Sequence, residues 1–216
     1  MEDKHTILTK SEIDQVLIKR HTLPVHKKIR QAGAAIAGLG GLGSNVAVML
    51  ARAGIGSLHL IDFDRVEPSN LNRQIYKMKH LGDYKTDALR EEISEINPYI
   101  SVRTDTVKLT PDNTGVILAD DRIICEAFDR AESKAMLINH LLEHRPDAAI
   151  VSGSGMAGYG SSNTIHTQQR MKNLYLCGDG TSDIASSIGL MAPRVALCAA
   201  HQANMILRLI LGEKDV

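Results

Sequence analysis

The chain has 216 residues, 44% hydrophobic and 23% charged, enough for one packed domain that buries roughly 70% of its unfolded surface. Its 25 basic and 25 acidic residues cancel, so the cationic excess needed for a general nucleic-acid or anionic-membrane surface is missing. No apolar run approaches the ~20 residues of a membrane span, and Met1-Glu2-Asp3-Lys4 lacks the basic start and apolar core of a secretory signal.

Residues 10–31 read as one or two amphipathic helices, with Lys19, Arg20, Lys27, Lys28 and Arg30 facing solvent. Ala34 to Leu39 is a short apolar run leading into glycines, the pattern of a buried strand. From Leu42 to Ala53 the apolar residues fall at helical spacing, and Gly54 supplies the stop. Ser57 to Asp62 is a second strand, completing a strand–helix–strand unit whose strands should be parallel.

Lys85 to Ile96 reads as a helix stopped by Asn97-Pro98, and a strand follows over Ser101–Lys108. Thr110-Pro111-Asp112 has the cap-then-proline pattern of a helix start. Arg122–Glu126 is an apolar strand, Ala131–His144 a long helix, and Ala148–Ser152 a strand entering the glycine-rich stretch Gly153–Gly160. Gly189–Leu211 closes the chain as a helix. The alternation predicts an α/β, Rossmann-like fold, with a mostly parallel sheet, helices on both faces and a mixed C-terminal part. Neither a linker nor a repeat divides it, so residues 1–216 are expected to form a single domain with a helical extension over about residues 1–31.

Gly38-Leu39-Gly40-Gly41-Leu42-Gly43 matches G-x-G-x-x-G between a predicted strand and a predicted helix. Glycines permit a tight turn and close approach of a phosphate, and the helix N-terminus offers unpaired N–H groups. Asp62 stands nineteen residues after Gly43, where a carboxylate can accept from ribose hydroxyls. Taken alone, the pattern suits a dinucleotide such as NAD; a glycine-rich turn used only for packing is the plainer alternative.

The next stretch, Asp62-Phe63-Asp64-Arg65-Val66-Glu67-Pro68-Ser69-Asn70-Leu71-Asn72-Arg73-Gln74, decides between these readings. With Gly82-Asp83-Tyr84-Lys85, Ile96-Asn97-Pro98, Cys125-Glu126-Ala127-Phe128-Asp129, Val151-Ser152-Gly153 and Gly189-Leu190-Met191-Ala192-Pro193, it closely resembles the ThiF/MoeB family of adenylyltransferases, relatives of the ubiquitin-activating enzymes. The resemblance spans about residues 33–212 and is greatest to short ThiF proteins, which activate the sulfur carrier ThiS in thiamine synthesis.

The resemblance implies an enzyme that uses ATP and Mg²⁺ to adenylate the C-terminal glycine of a small ubiquitin-like sulfur carrier ending in Gly-Gly. It assigns Gly38, Gly40, Gly41, Gly43, Asp62, Asp64 and Asn70 to the nucleotide, Arg73 and Lys85 to its phosphates, and Asp129 to Mg²⁺ and the reacting phosphate. These residue types suit the chemistry: a carboxylate attacking a phosphate brings two anions together, which calls for fixed cations and a metal-holding carboxylate. Alone, Arg73 or Lys85 would be a solvated charge and Asp129 a helix cap. Gly153–Gly160 would line the carrier's extended tail, its missing side chains admitting a second backbone, or else be a surface turn. The resemblance also implies a homodimer, while the balanced charge argues against nucleic-acid and membrane partners.

The chain departs from the family in three places. It has no Cys-x-x-Cys pairs, so no zinc is expected; His140 and His144, four apart on a helix, read as surface histidines. The family's sulfur-handling cysteine falls on Ala185. Cys177, in a glycine-flanked loop and read as exposed, is then the candidate for thiol chemistry, while Cys125 and Cys198 read as core hydrophobes. Third, the family's N-terminal arginine signature is absent, with Arg20 a substitute. Three separated cysteines argue against a disulfide framework and for the reducing cytoplasm. An NAD-linked oxidoreductase and a non-catalytic nucleotide-binding module are the competing readings.

Overall fold

The computed structural model describes residues 7–183 and 189–216. Its strands are β1 (Gly33–Ala37), β2 (Ser57–Ile61), β3 (Ser101–Asp105), β4 (Ile123–Glu126), β5 (Ala149–Gly153), β6 (His166–Met171) and β7 (Leu174–Gly178). They form one sheet in the order β3-β2-β1-β4-β5-β7-β6, parallel except for the antiparallel edge strand β6. The helices are α1 (Lys10–His21), α2 (Leu23–Gln31), α3 (Gly41–Arg52), α4 (Lys85–Ile96), α5 (Pro111–Ile117), α6 (Ala131–His144) and α7 (Ala192–Leu211).

Successive strand side chains point to opposite faces, and here both faces are covered. Ala34, Ile36, Cys125 and Val151 pack with α3, α4 and α7, contributing to a core with Val46, Leu50, Leu89, Ile93, Cys198 and Ile206. Ala35, Ala37, Ile124 and Ile150 face the other way, against Leu118, Leu137 and Leu141 around α5 and α6. Double coverage explains why the central strands read as continuous apolar runs. Each fully buried Leu or Ile contributes about 1.5–3 kcal/mol relative to exposure.

The N-terminal residues form two helices, separated at Thr22, whose φ is 71°. A reciprocal cap starts α1: Glu12 N–H donates to Thr9 Oγ1 at 3.3 Å, and Thr9 N–H to Glu12 Oε2 at 2.7 Å. Arg30 does not face solvent as expected. Its side chain is 16% exposed, 3.7 Å from Asp14, and donates to Tyr99 O at 2.9 Å.

Two boundaries lie three residues from the sequence reading, one predicted loop is a strand, and strand β6 has no counterpart in that reading. β3 ends at Asp105 rather than Lys108, because Val107, Lys108 and Leu109 leave the sheet to line a cavity. α7 begins at Ala192 rather than Gly189; Gly189 has φ 89°, which a helix does not permit, and Pro193 takes the first turn. The glycine-flanked loop around Cys177 is instead strand β7, paired with β5 on one side and β6 on the other.

Gly43 shows how tightly α3 seats on β1: a Cβ there would lie 1.8 Å from Gly38 O and 3.1 Å from Ile36 Cγ2. Gly43→Ala should therefore lower the thermal midpoint by several degrees in a melting experiment, overpacking of this kind costing about 1–3 kcal/mol. An unchanged midpoint would mean that the loop can withdraw from the helix.

Candidate active site

Strand order reverses at β1: β2 lies on one side of it and β4 on the other, so the loops leaving β1 and β4 diverge. In open α/β sheets this crevice, beyond the carboxyl ends of the strands, is where ligands bind. It holds a cavity of about 570 Å³. Gly38, Gly40, Gly41, Asp62, Asp64, Asn70, Arg73, Lys85 and Asp129 all line it. Gly43 and Cys177 do not: Gly43 lies beneath the loop as a packing residue, and Cys177 is in the core.

The glycine loop is held from below. Asp62 accepts from Leu39 N–H at 2.6 Å and from Asp64 N–H at 2.8 Å, while Tyr76 O–H donates to Leu39 O at 2.8 Å. Burial raises the Asp62 carboxyl above its usual pKa, against the opposing pull of Lys85 and the two N–H groups. Gly38 needs to be glycine twice over: its φ is 92°, and a Cβ would lie 2.9 Å from Ala127 O. The N-terminus of α3 has no side-chain cap and faces the cavity through Gly40 and Gly41, an anion-binding arrangement.

The cations arrive from two further segments. Lys85 opens α4, and its 7% exposed side chain puts Nζ 2.8 Å from Asp64 Oδ2. Asn70 accepts from Glu67 N–H at 3.0 Å, fixing a 3-10 turn over Pro68–Asn70. Arg73 follows that turn and donates to Ser69 O at 3.1 Å and to Asn72 Oδ1 at 2.8 Å. Asn45 of α3 donates to Arg73 O at 3.1 Å and to Gly41 O at 2.7 Å, coupling the arginine to the glycine loop. Asp129 lines the same cavity, exposed on the turn after β4.

Two charged clusters escaped the sequence reading. Buried Glu126 pairs with Lys134, which lines the cavity from α6. Arg194, 5% exposed at its side chain, pairs with Asp179 and donates to Gly160 O at 3.0 Å and Ser161 O at 2.8 Å. It thereby ties the glycine-rich stretch to the first turn of α7. The sequence offers one hint for the first cluster: a carboxylate ending the apolar run Ile123-Ile124-Cys125. For the second it offers none.

All three cysteines are free and buried, each 0% exposed. Burial pushes the Cys177 thiol up to about 11 and Cys198 up to about 12. Cys177 is thus no exposed thiol, because β5, β6 and α7 enclose it: Gly153 and Thr167 are its strand partners, and Cys198 Sγ lies 3.3 Å from its carbonyl. Ala185 falls outside the described residues. His140 and His144 stack with ring centroids 4.6 Å apart, and among the described residues no group of three or more His, Cys, Asp or Glu is placed to hold a metal.

Residues 14–216 match the family model described as ThiF family. A curated relative, the adenylyltransferase and sulfurtransferase UBA4 of Lodderomyces elongisporus, is 30% identical over 91% of this chain. The chain spans only 44% of that relative's length. The molybdopterin-synthase adenylyltransferase of Escherichia coli is 26% identical over 92% of this chain and 80% of its own. Among solved structures, the Escherichia coli tRNA N6-threonylcarbamoyladenosine dehydratase in complex with ATP superposes with a TM-score of 0.84 at 21% identity, covering 96% of this chain and 98% of its own. That likeness speaks for the fold.

Burial of every thiol has a direct consequence. A thiol-reactive disulfide reagent should label fewer than one cysteine per native chain within minutes at neutral pH, and all three after unfolding. Rapid native labelling assigned to Cys177 by mass mapping would contradict the enclosed β7 environment.

Proposed function

The chain belongs to the ThiF family, and from that premise we propose that it is an ATP-dependent adenylyltransferase acting on the C-terminal carboxylate of a small ubiquitin-like sulfur carrier. The observation that carries this reading is the convergence of Arg73, Lys85 and Asp129, from three separate segments, on the cavity faced by the uncapped α3 N-terminus. A nucleotide fits the residues present. A Cβ on Gly40 would meet only Gln74 Nε2, at 3.9 Å, so the glycine leaves open space beside the loop.

In this reading the α3 N-terminus, Arg73 and Lys85 hold the triphosphate, Asp62 accepts from the ribose, and Asp129 holds the Mg²⁺ that neutralises the phosphates. A carboxylate oxygen of the carrier attacks the α-phosphorus, the bond to the bridging oxygen breaks, and pyrophosphate leaves with its charge matched by fixed cations. The chain supplies no nucleophile. Gly153–Ala157 line the cavity wall, and a tail ending in two glycines would run along it. The product, a carrier acyl-adenylate, is the precursor of a thiocarboxylate. None of the three thiols of this chain is exposed, so none is placed here to carry the sulfur.

The finer reading makes the carrier ThiS-like, on the resemblance to short ThiF proteins; a MoaD-like carrier is the rival, raised by the molybdopterin-synthase relative. The same reading takes the chain as one cytoplasmic domain that forms a homodimer without zinc. Exposed Ile7, Leu8, Val16 and Leu23 on and beside α1 and α2 support a covered surface there, and no helix among the described residues is long and apolar enough to cross a membrane.

Incubation with ATP, Mg²⁺ and each carrier, followed by weighing the carrier, should show added AMP on the ThiS-like protein; AMP on the MoaD-like protein alone would overturn the finer reading. Stabilisation by NAD but not by ATP would overturn the whole. Arg73→Ala and Asp129→Ala should each lower carrier-dependent pyrophosphate exchange by on the order of 10²–10³. Cys177→Ala should leave that exchange within about threefold of wild type, since no thiol enters the step.

A further inference from the structure

Asp129 has the central electrostatic role in the proposed reaction, yet its side chain is exposed and accepts no hydrogen bond among the described residues. Its placement rests on the backbone of the turn that carries it. One buried side chain bonds to that turn and to two neighbouring elements at once: Glu126, at the last position of β4 and 0% exposed.

Three elements donate to its carboxylate. Oε1 accepts from Phe128 N–H at 2.8 Å, within the turn itself. Oε2 accepts from Ser152 Oγ of β5 and from Lys134 Nζ of α6, both at 2.5 Å. The main chain agrees with this anchoring: Ala127 N–H donates to Ala37 O at 2.9 Å, and Gln202 of α7 donates to Glu126 O at 3.1 Å. Ala127 and Phe128 also close on Gly38, so the turn and the glycine loop share one contact surface.

A buried ion pair is weak as a source of stability, since an apolar pair of similar volume is often as good or better. What this pair does supply is direction. The carboxylate shapes the turn through Phe128 N–H, and Lys134, one turn into α6, sets the helix at the angle that lets its ammonium reach back. We propose that Glu126, Lys134 and Ser152 are positioning residues that fix the Ala127–Asp129 turn and so hold Asp129 at the reacting phosphate. The inference rests on the adenylyltransferase reading and deepens it.

The decisive variant is the double substitution Glu126→Leu with Lys134→Met, which removes the acceptor of Phe128 N–H and leaves neither charge buried alone. Two measurements are made: hydrogen exchange of the segment containing the Phe128 amide, and pyrophosphate exchange with kcat and KM for ATP resolved. The expected result is faster exchange at that segment and kcat lower by about tenfold or more, with KM for ATP within about threefold; misplacement by about 1 Å can cost up to 10². Lys134→Arg, which keeps the donor, should retain most of kcat. Should the double variant not fold, Ser152→Ala makes the same test with one donor removed, and a kcat loss of a few fold is expected.

Wild-type kcat in the double variant or, failing its folding, in Ser152→Ala, or unaltered protection at Phe128 in the variant assayed, would overturn the proposal. So would a rise in KM with kcat intact, which would make Lys134 a nucleotide contact instead. A wild-type protein inactive with every carrier would overturn the adenylyltransferase reading alone, since the hydrogen-exchange comparison still reports on the turn.

Discussion

The close approach of three backbone segments around Gly38 is the constraint on which the site depends. Gly38 O sits where a Cβ on Gly43 would fall, 1.8 Å away, and Ala127 O sits 2.9 Å from where a Cβ on Gly38 would fall. β1, α3 and the turn after β4 therefore meet with no room for a side chain at Gly38 or Gly43. Asp62 fastens the arrangement from β2 by accepting from Leu39 N–H. With the backbone this close, the start of α3 and Asp129 line one cavity.

Charge in the site is balanced by pairing. Lys85 enters almost buried but against the half-exposed Asp64, and Lys134 is held by Glu126. Arg73 differs from these two: it is steadied by two neutral acceptors, Ser69 O and Asn72 Oδ1, which leaves its charge available to an anion. A phosphate entering such a site meets cations already oriented, and little reorganisation remains for the reaction itself.

The C-terminal part serves the same cavity from another side. Arg194 and Asp179 join the stretch after β5, the turn after β7 and the start of α7, all at the cavity's edge. Gly155 tolerates this join because its missing Cβ would lie 2.1 Å from Asp179 Oδ1. Here glycine serves contact between two parts of the chain, whereas at Gly40 it leaves open space beside the cavity. Both uses leave the same mark on the sequence.

Local signals made much of this legible in the residue order. Strand β1, the glycine loop, α3 and the stop at Gly54 are set by neighbours in the chain, as are α4, α5 and α6, and periodicity and caps report them directly. The family motifs picked out Arg73, Lys85 and Asp129, which line one cavity although 56 residues separate the first from the last. What escaped was everything decided by partners distant in sequence. Cys177 looked like a loop residue because its glycine neighbours were visible and its strand partners, Gly153 and Thr167, were not. Gly43 looked like part of a phosphate cradle because the motif does not say which glycine faces the ligand and which faces the strand. Glu126 and Arg194 gave little sign of their roles, since a buried charge is tolerable only through its partners, and Ser152 and Gly160 lie 26 and 34 residues away. Pattern reveals elements because their hydrogen bonds are local; burial and pairing come from packing across the sheet, which no local window contains.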